Sequence, residues 1–104
     1  MRVPIACTLT SESAAVRLGE WRRFFSDFTA AAEQSSDVQL RVRLTNSTQA
    51  LQAAVDLARR EKTCCAFFDF SVDVQADACW FSVTVPPDAT DTLADFVSLL
   101  PRPL

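Results

Sequence analysis

The sequence predicts one α+β domain, a four-stranded, mainly antiparallel sheet with helices on one face, in the order β-α-β-α-β-β-α. Three observations predict it. Apolar residues recur at every second position in four short segments, as in strands with one buried face. In three other segments they recur at spacings of three and four, as in helices with one apolar stripe. A chain of 104 residues, 49% apolar and 22% charged, can bury one core, so residues 1–104 read as a single domain. Elements with one apolar side each are satisfied by a sheet covered by helices on one side.

The elements follow in order. Val3, Ile5, Cys7 and Leu9 alternate with Pro4, Ala6 and Thr8, a first strand with Cys7 on its apolar side. Thr10-Ser11-Glu12 offers a helix N-cap with a carboxylate in the first turn. Ala14, Leu18, Trp21, Phe25, Phe28 and Ala32 then form one helix stripe, which Ser35-Ser36-Asp37 ends. Val38, Leu40, Val42 and Leu44 face one way and Gln39, Arg41 and Arg43 the other, the clearest strand in the chain. Asn46-Ser47 caps a second helix running to about Cys65, with Leu51, Ala54, Val55, Leu57 and Ala58 as its apolar positions.

Phe68, Phe70, Val72 and Val74 alternate as the third strand, Ala76-Asp77-Ala78 turns, and Cys79, Phe81, Val83 and Val85 form the fourth, giving a hairpin. Pro86-Pro87-Asp88 stops the sheet, and Leu93, Phe96, Val97 and Leu100 mark a short third helix. From Val38 to Leu100 the order is β-α-β-β-α, most of a ferredoxin-like unit. A first strand at the missing edge would make the sheet a permuted version of that fold.

Charge and composition narrow the partners. The net charge is −3 and the pI about 4.7, which argues against nucleic acid or an anionic membrane as a partner. Arg17, Arg22 and Arg23 form a local basic patch, read as a solvated helix face. The N-terminal apolar stretch is too short for a signal peptide, and no run approaches the roughly 20 apolar residues of a membrane helix. A cytoplasmic location follows as the expectation. Thiols there stay reduced, so four cysteines suggest metal or redox chemistry before disulfides.

The chemistry concentrates in Glu61-Lys62-Thr63-Cys64-Cys65-Ala66-Phe67-Phe68-Asp69-Phe70. Adjacent helical residues point roughly 100° apart, so packing on one side does not explain both thiols of Cys64-Cys65. Cys79, starting a strand on the apolar parity with no polar chemistry around it, reads as a small core hydrophobe. Cys7, on the core side of the first strand, is the natural third member of a cluster. Three thiolates suit a soft ion: Hg(II), Zn(II), Cu(I) or trivalent arsenic. The chain has no His, so an all-protein site must use sulfur; Cys7, Cys64 and Cys65 are the candidates, with Glu61 as a carboxylate that could join them.

CxxC pairs are absent, which argues against a structural zinc finger. Sharing one ion requires sulfurs within about 4 Å of one another, Cys7–Cys65 being the expected closer pair and Cys79 lying outside. Arg59, Arg60 and Lys62 favour thiolates, whereas the negative end of the helix opposes them. Metal coordination overcomes that opposition more readily than thiol activation does, which favours binding over catalysis.

Two other readings stay open. One is a thiol redox or transfer protein in which Cys64 attacks and Cys65 or Cys7 resolves, although there is no His or Tyr to move protons near neutral pH. The other is an interaction module that uses Phe67, Phe68, Phe70 and Trp80 as contact surface. Trp80 has the opposite parity from Phe81 and Val83, so it faces away from the helices and suggests a homodimer through that face.

Ala6-Cys7-Thr8-Leu9, Arg17 and Trp21, and the segment from Glu61 to Phe70 together give the chain a resemblance. It resembles a family of small uncharacterised bacterial proteins with an early Cys-x-Leu, an Arg/Trp helix and a Glu-x-x-Cys-Cys-Pro-Phe-x-x-Phe segment. Some members are associated with mercury or heavy-metal resistance. The resemblance implies that Cys7, Cys64, Cys65 and Glu61 hold the distinctive positions, with Phe67 and Phe70 as an aromatic wall. Ala66 stands where the family has Pro, Pro86-Pro87 replaces a Gly-Pro turn, and Cys79 has no counterpart.

Overall fold

Period-two alternation becomes three rows of side chains across one sheet. The computed structural model describes residues 11–64 and 67–102. Its elements are α1 (Ser11–Phe28), β1 (Thr29–Ser36), β2 (Gln39–Leu44), α2 (Thr48–Cys64), β3 (Asp69–Val74), β4 (Cys79–Thr84), a 3₁₀ turn (Pro87–Ala89) and α3 (Thr90–Val97). The strands lie in the order β1-β2-β4-β3, and every neighbouring pair is antiparallel. Leu40, Val83 and Phe70 stand side by side across three strands, as do Val42, Phe81 and Val72, and Leu44, Cys79 and Val74. On β2 and β4 these residues are all buried; β3 is an edge, and its Val74 is exposed. This is the α+β class and four-stranded antiparallel sheet that the alternation predicts.

All three helices cover the same side. Trp21 is the centre of the packing, fully buried and within 6.0 Å of Phe81 of the sheet, 5.9 Å of Phe70 and 4.9 Å of Phe96 of α3, ring centre to ring centre. Aromatic pairs at such separations add about 0.5–1.5 kcal/mol each beyond the area they bury. The opposite side of the sheet carries Gln39, Arg41, Arg43, Trp80, Ser82 and Thr84, each half-buried or exposed. The Arg41 guanidinium lies 4.4 Å from the centre of the Trp80 ring.

One strand forms where the sequence predicts helix. The apolar stripe of α1 was expected to continue through Ala32, but the helix ends at Phe28 and Thr29–Ser36 forms β1. Ala30-Ala31-Ala32-Glu33-Gln34 are good helix formers, so tertiary pairing overrides propensity. β2 has an outer edge to satisfy, and a turn of Asp37 and Val38 alone folds β1 back onto it, pairing Ser36 with Gln39 and Ala32 with Val42. The end of β2 also stops the helix. Thr45 donates its backbone N–H (2.8 Å) and its hydroxyl (3.1 Å) to the Phe28 carbonyl. The strand expected at Val3–Leu9 lies outside the described residues. The run β2-α2-β3-β4-α3 is the β-α-β-β-α unit, and the missing edge is supplied from before it by β1, which is the permuted arrangement.

The other boundaries follow local chemistry. Ser47 caps α2, its hydroxyl accepting the Ala50 N–H at 3.1 Å. The α2 stripe is shifted from the expected one: Ala50, Ala54, Leu57 and Glu61 are buried, while Val55 is 45% exposed. Gln75 and Ala78 close the β3–β4 turn through a 2.8 Å backbone bond. In α3, Leu93 and Phe96 are fully buried.

Candidate functional site

The shifted stripe of α2 carries a carboxylate into the core. Steps of four, three and four residues lead from Ala50 through Ala54 and Leu57 to Glu61, so Glu61 takes an apolar position in the last turn and is 0% exposed. Its charge is met by α1. Trp21 Nε1 donates to Glu61 Oε1 at 2.9 Å, and Arg17 Nη1 donates to the same oxygen at 3.2 Å. Arg17 and Trp21 are one helical turn apart and therefore reach one point together. Glu61 Oε2 is buried and has no hydrogen-bond partner among the described residues.

An ion-pair chain continues outward. Arg17 Nε lies 3.5 Å from Glu20 Oε1, Glu20 Oε2 accepts from Arg60 Nη1 at 2.8 Å, and Arg60 Nη2 donates to Asp56 at 2.9 Å. The chain crosses between α1 and α2 twice, at Glu61–Arg17 and at Glu20–Arg60, so it also fixes how the two helices face each other. Arg17 is only 9% exposed, which corrects the reading of Arg17, Arg22 and Arg23 as one solvated face. Arg22 and Arg23 are exposed, but Arg17 takes a stripe position between Ala14 and Trp21 and is buried with its carboxylate. Burial pushes the Glu61 carboxyl above its ordinary range, against the opposing hydrogen bonds from Trp21 and Arg17.

α2 ends at Cys64, three residues beyond Glu61. Cys7, Cys65 and the side chain of Cys64 lie outside the described residues, as do the sulfur separations expected of them. Lys62 brackets the Cys-Cys segment, its Nζ donating to the Phe68 carbonyl at 2.5 Å and lying 3.5 Å from Asp69. Arg60 is committed to Glu20 and Asp56. Cys79 is 1% exposed, with its sulfur 3.8 Å from Asn46 Oδ1, the core position its parity predicts. Among the described residues, no three of His, Cys, Asp and Glu are grouped to hold a metal ion.

The aromatic run divides. Phe68 is fully buried and stacks with Phe70, which is half-buried and stacks on Phe81, whereas Phe67 is exposed. Phe67-Phe68-Phe70 is therefore not one contact surface, because Phe68 belongs to the core. Sequence reasoning singled out Glu61 but missed its partners. The signal was present, since Arg17 and Glu61 are opposite charges at stripe positions of two helices. No family model matches the chain, and neither does any curated protein or solved structure. No helix among the described residues is long and apolar enough to cross a membrane.

Proposed function

We propose that this chain binds a soft metal or metalloid ion, Hg(II), Zn(II), Cu(I) or trivalent arsenic, on the thiolates of Cys7, Cys64 and Cys65, with Glu61 as the accompanying carboxylate. One observation carries the reading: a fully buried carboxylate with one oxygen held and the other without a partner, three residues before adjacent cysteines. Ionised, Oε2 lacks a donor; protonated, it lacks an acceptor. A buried polar oxygen left in that condition costs about 1–3 kcal/mol, and an ion beside the thiolates would remove the cost. The resemblance to proteins associated with heavy-metal resistance agrees with a cytoplasmic role in sequestering the ion or passing it on by ligand exchange.

The test is titration of the reduced chain with each ion, followed by thiolate charge-transfer absorbance and by mass. Sub-micromolar binding of at least one ion, lost in a Cys64→Ser, Cys65→Ser variant, is the expected result. Millimolar affinity for every ion, or binding that survives the double substitution, would sink the proposal.

A second reading draws on the same carboxyl. A thiol redox or transfer protein needs a proton acceptor, and Glu61, its pKa raised by burial, can serve where His and Tyr are missing. A Cys64 thiol pKa near or above the ordinary ~8.5 would remove that reading. For the face carrying Trp80, the proposed partner is a second copy. Arg43 and Asp73 flank Trp80 in register, so a two-fold copy would set opposite charges against each other. A Trp80→Glu variant with unchanged mass by light scattering would rule this out.

A further inference from the structure

The side of the sheet away from the helices carries an ordered charge pattern. In the row through Trp80, the ladders set Arg43 on one flank and Asp73 on the other. The row through Ser82 has Arg41 and Ser71 at these positions, and the row through Thr84 has Gln39 and Asp69. The β2 flank is therefore basic and the β3 flank acidic, with β4 between them. Arg41 is committed, 2.8 Å from Glu33 on β1 and with its guanidinium 4.4 Å from the centre of the Trp80 ring. Stacked in this way, the half-buried indole is held in place. Arg43 and Asp73 are exposed, and neither enters an ion pair among the described residues.

We infer that two copies of the chain pack these faces together about a two-fold axis running along β4, with Arg43 of each copy against Asp73 of the other. The inference rests on the second-copy reading and adds to it the orientation of the pair and the residues that set it. An axis lying between the two faces and parallel to the strands exchanges the flanks of β4. It lays β2 of one copy over β3 of the other, so Arg43 meets Asp73 twice, Gln39 meets Asp69 twice, and the Trp80 rings meet at the axis.

The same register speaks against other placements. An axis along β2 sets Arg43 over Arg43 and Arg41 over Arg41, and one along β3 sets Asp73 over Asp73. An axis across the strands at the Ser82 row sets Asp73 over Asp69. Like charges facing each other suppress such arrangements. The axis along β4 also keeps the strands of the two sheets aligned, the common way for sheets to pack, with faces about 10 Å apart. Three strands of six residues each give a face of roughly 15 Å by 20 Å. That is small beside the ~800 Å² per partner of a standard interface, so the dimer is weak and depends on concentration.

Sedimentation velocity over a dilution series at low salt tests the orientation. The parent chain should shift from monomer to dimer as concentration rises. Arg43→Asp and Asp73→Arg each turn both meeting pairs into like charges, and each should weaken self-association at least roughly 10-fold. Mixed in equal amounts, the two variants should recover the dimer, because every altered position then meets an opposite charge. Recovery on mixing also shows that both variants are folded.

A parent chain that dimerises while the mixture stays monomeric would overturn the inference and leave the second-copy reading standing. An axis between β2 and β4, which sets Arg43 over Trp80, would give that result. Dimerisation of either single variant at the strength of the parent would overturn it as well. A parent chain that is monomeric throughout the series would overturn both the inference and the reading beneath it.

Discussion

Two arginine–glutamate pairs in this molecule look alike by distance and differ in almost everything else. Arg41 and Glu33 meet at 2.8 Å across β1 and β2, with both side chains a third or more exposed. Arg17 and Glu61 meet at the longer distance of 3.2 Å, with a fully buried carboxylate. Water competes for the first pair and screens it, so such pairs contribute about 0–1 kcal/mol. For the second, the carboxylate has left water, and Arg17 and Trp21 are what make its burial tolerable. Contact length therefore does not rank the two; burial does.

The largest expected effect comes from removing one half of the buried pair. Glu61→Ala leaves Arg17 in the core without its carboxylate and should cost about 3–5 kcal/mol in urea unfolding. A loss no larger than that of Glu33→Ala would break the comparison outright. Trp21→Phe removes one hydrogen bond to a charged group and leaves a cavity where the larger indole packed, so a loss of at least roughly 1.5–3 kcal/mol is expected in the same assay.

Titration sharpens the contrast next. Burial raises the folded-state pKa of Glu61, so the folded chain binds this proton more tightly than the unfolded chain does. The stability it contributes is fully present below the unfolded pKa and is lost as pH rises through the folded value. Unfolding at a series of pH values should show a difference between the wild-type chain and Glu61→Gln that declines over that window, by at most about 1.36 kcal/mol per pH unit. A difference that grows with pH would reverse the sign and refute the burial argument. The smallest effect belongs to Glu33→Ala and Arg41→Ala, each expected within about 1 kcal/mol of the parent.

Where burial alone decided the structure, the sequence was easy to read. β2 and β4 alternate so strictly that all of Leu40, Val42, Leu44, Cys79, Phe81 and Val83 are buried as their parity requires. β1 was illegible because its residues favour a helix and only the edge of β2 makes it a strand. Ala32 satisfied both patterns: it continues the α1 stripe, and it also pairs with Val42. Glu61 was visible as a candidate beside the cysteines, and the resemblance put Arg17 and Trp21 on one helix, but the periodicity and charge pattern read them separately, one as surface and one as core. Their meeting depends on how α1 lies against α2, which neither helix's own periodicity contains.

The order of strands in the sheet also bears on how fast it assembles. β1–β2 and β3–β4 are local hairpins, each closed by a short turn. Among the described residues, the only ladder between distant parts of the chain is β2–β4, with Val42 opposite Phe81 at its middle. Closing short loops costs little chain entropy, whereas joining the hairpins closes the long loop that contains α2. The rate-limiting barrier therefore belongs to that one seam. Shortening Val42 to Ala should slow refolding in stopped-flow measurements, while the same truncation of Val72 on the outer strand should chiefly speed unfolding.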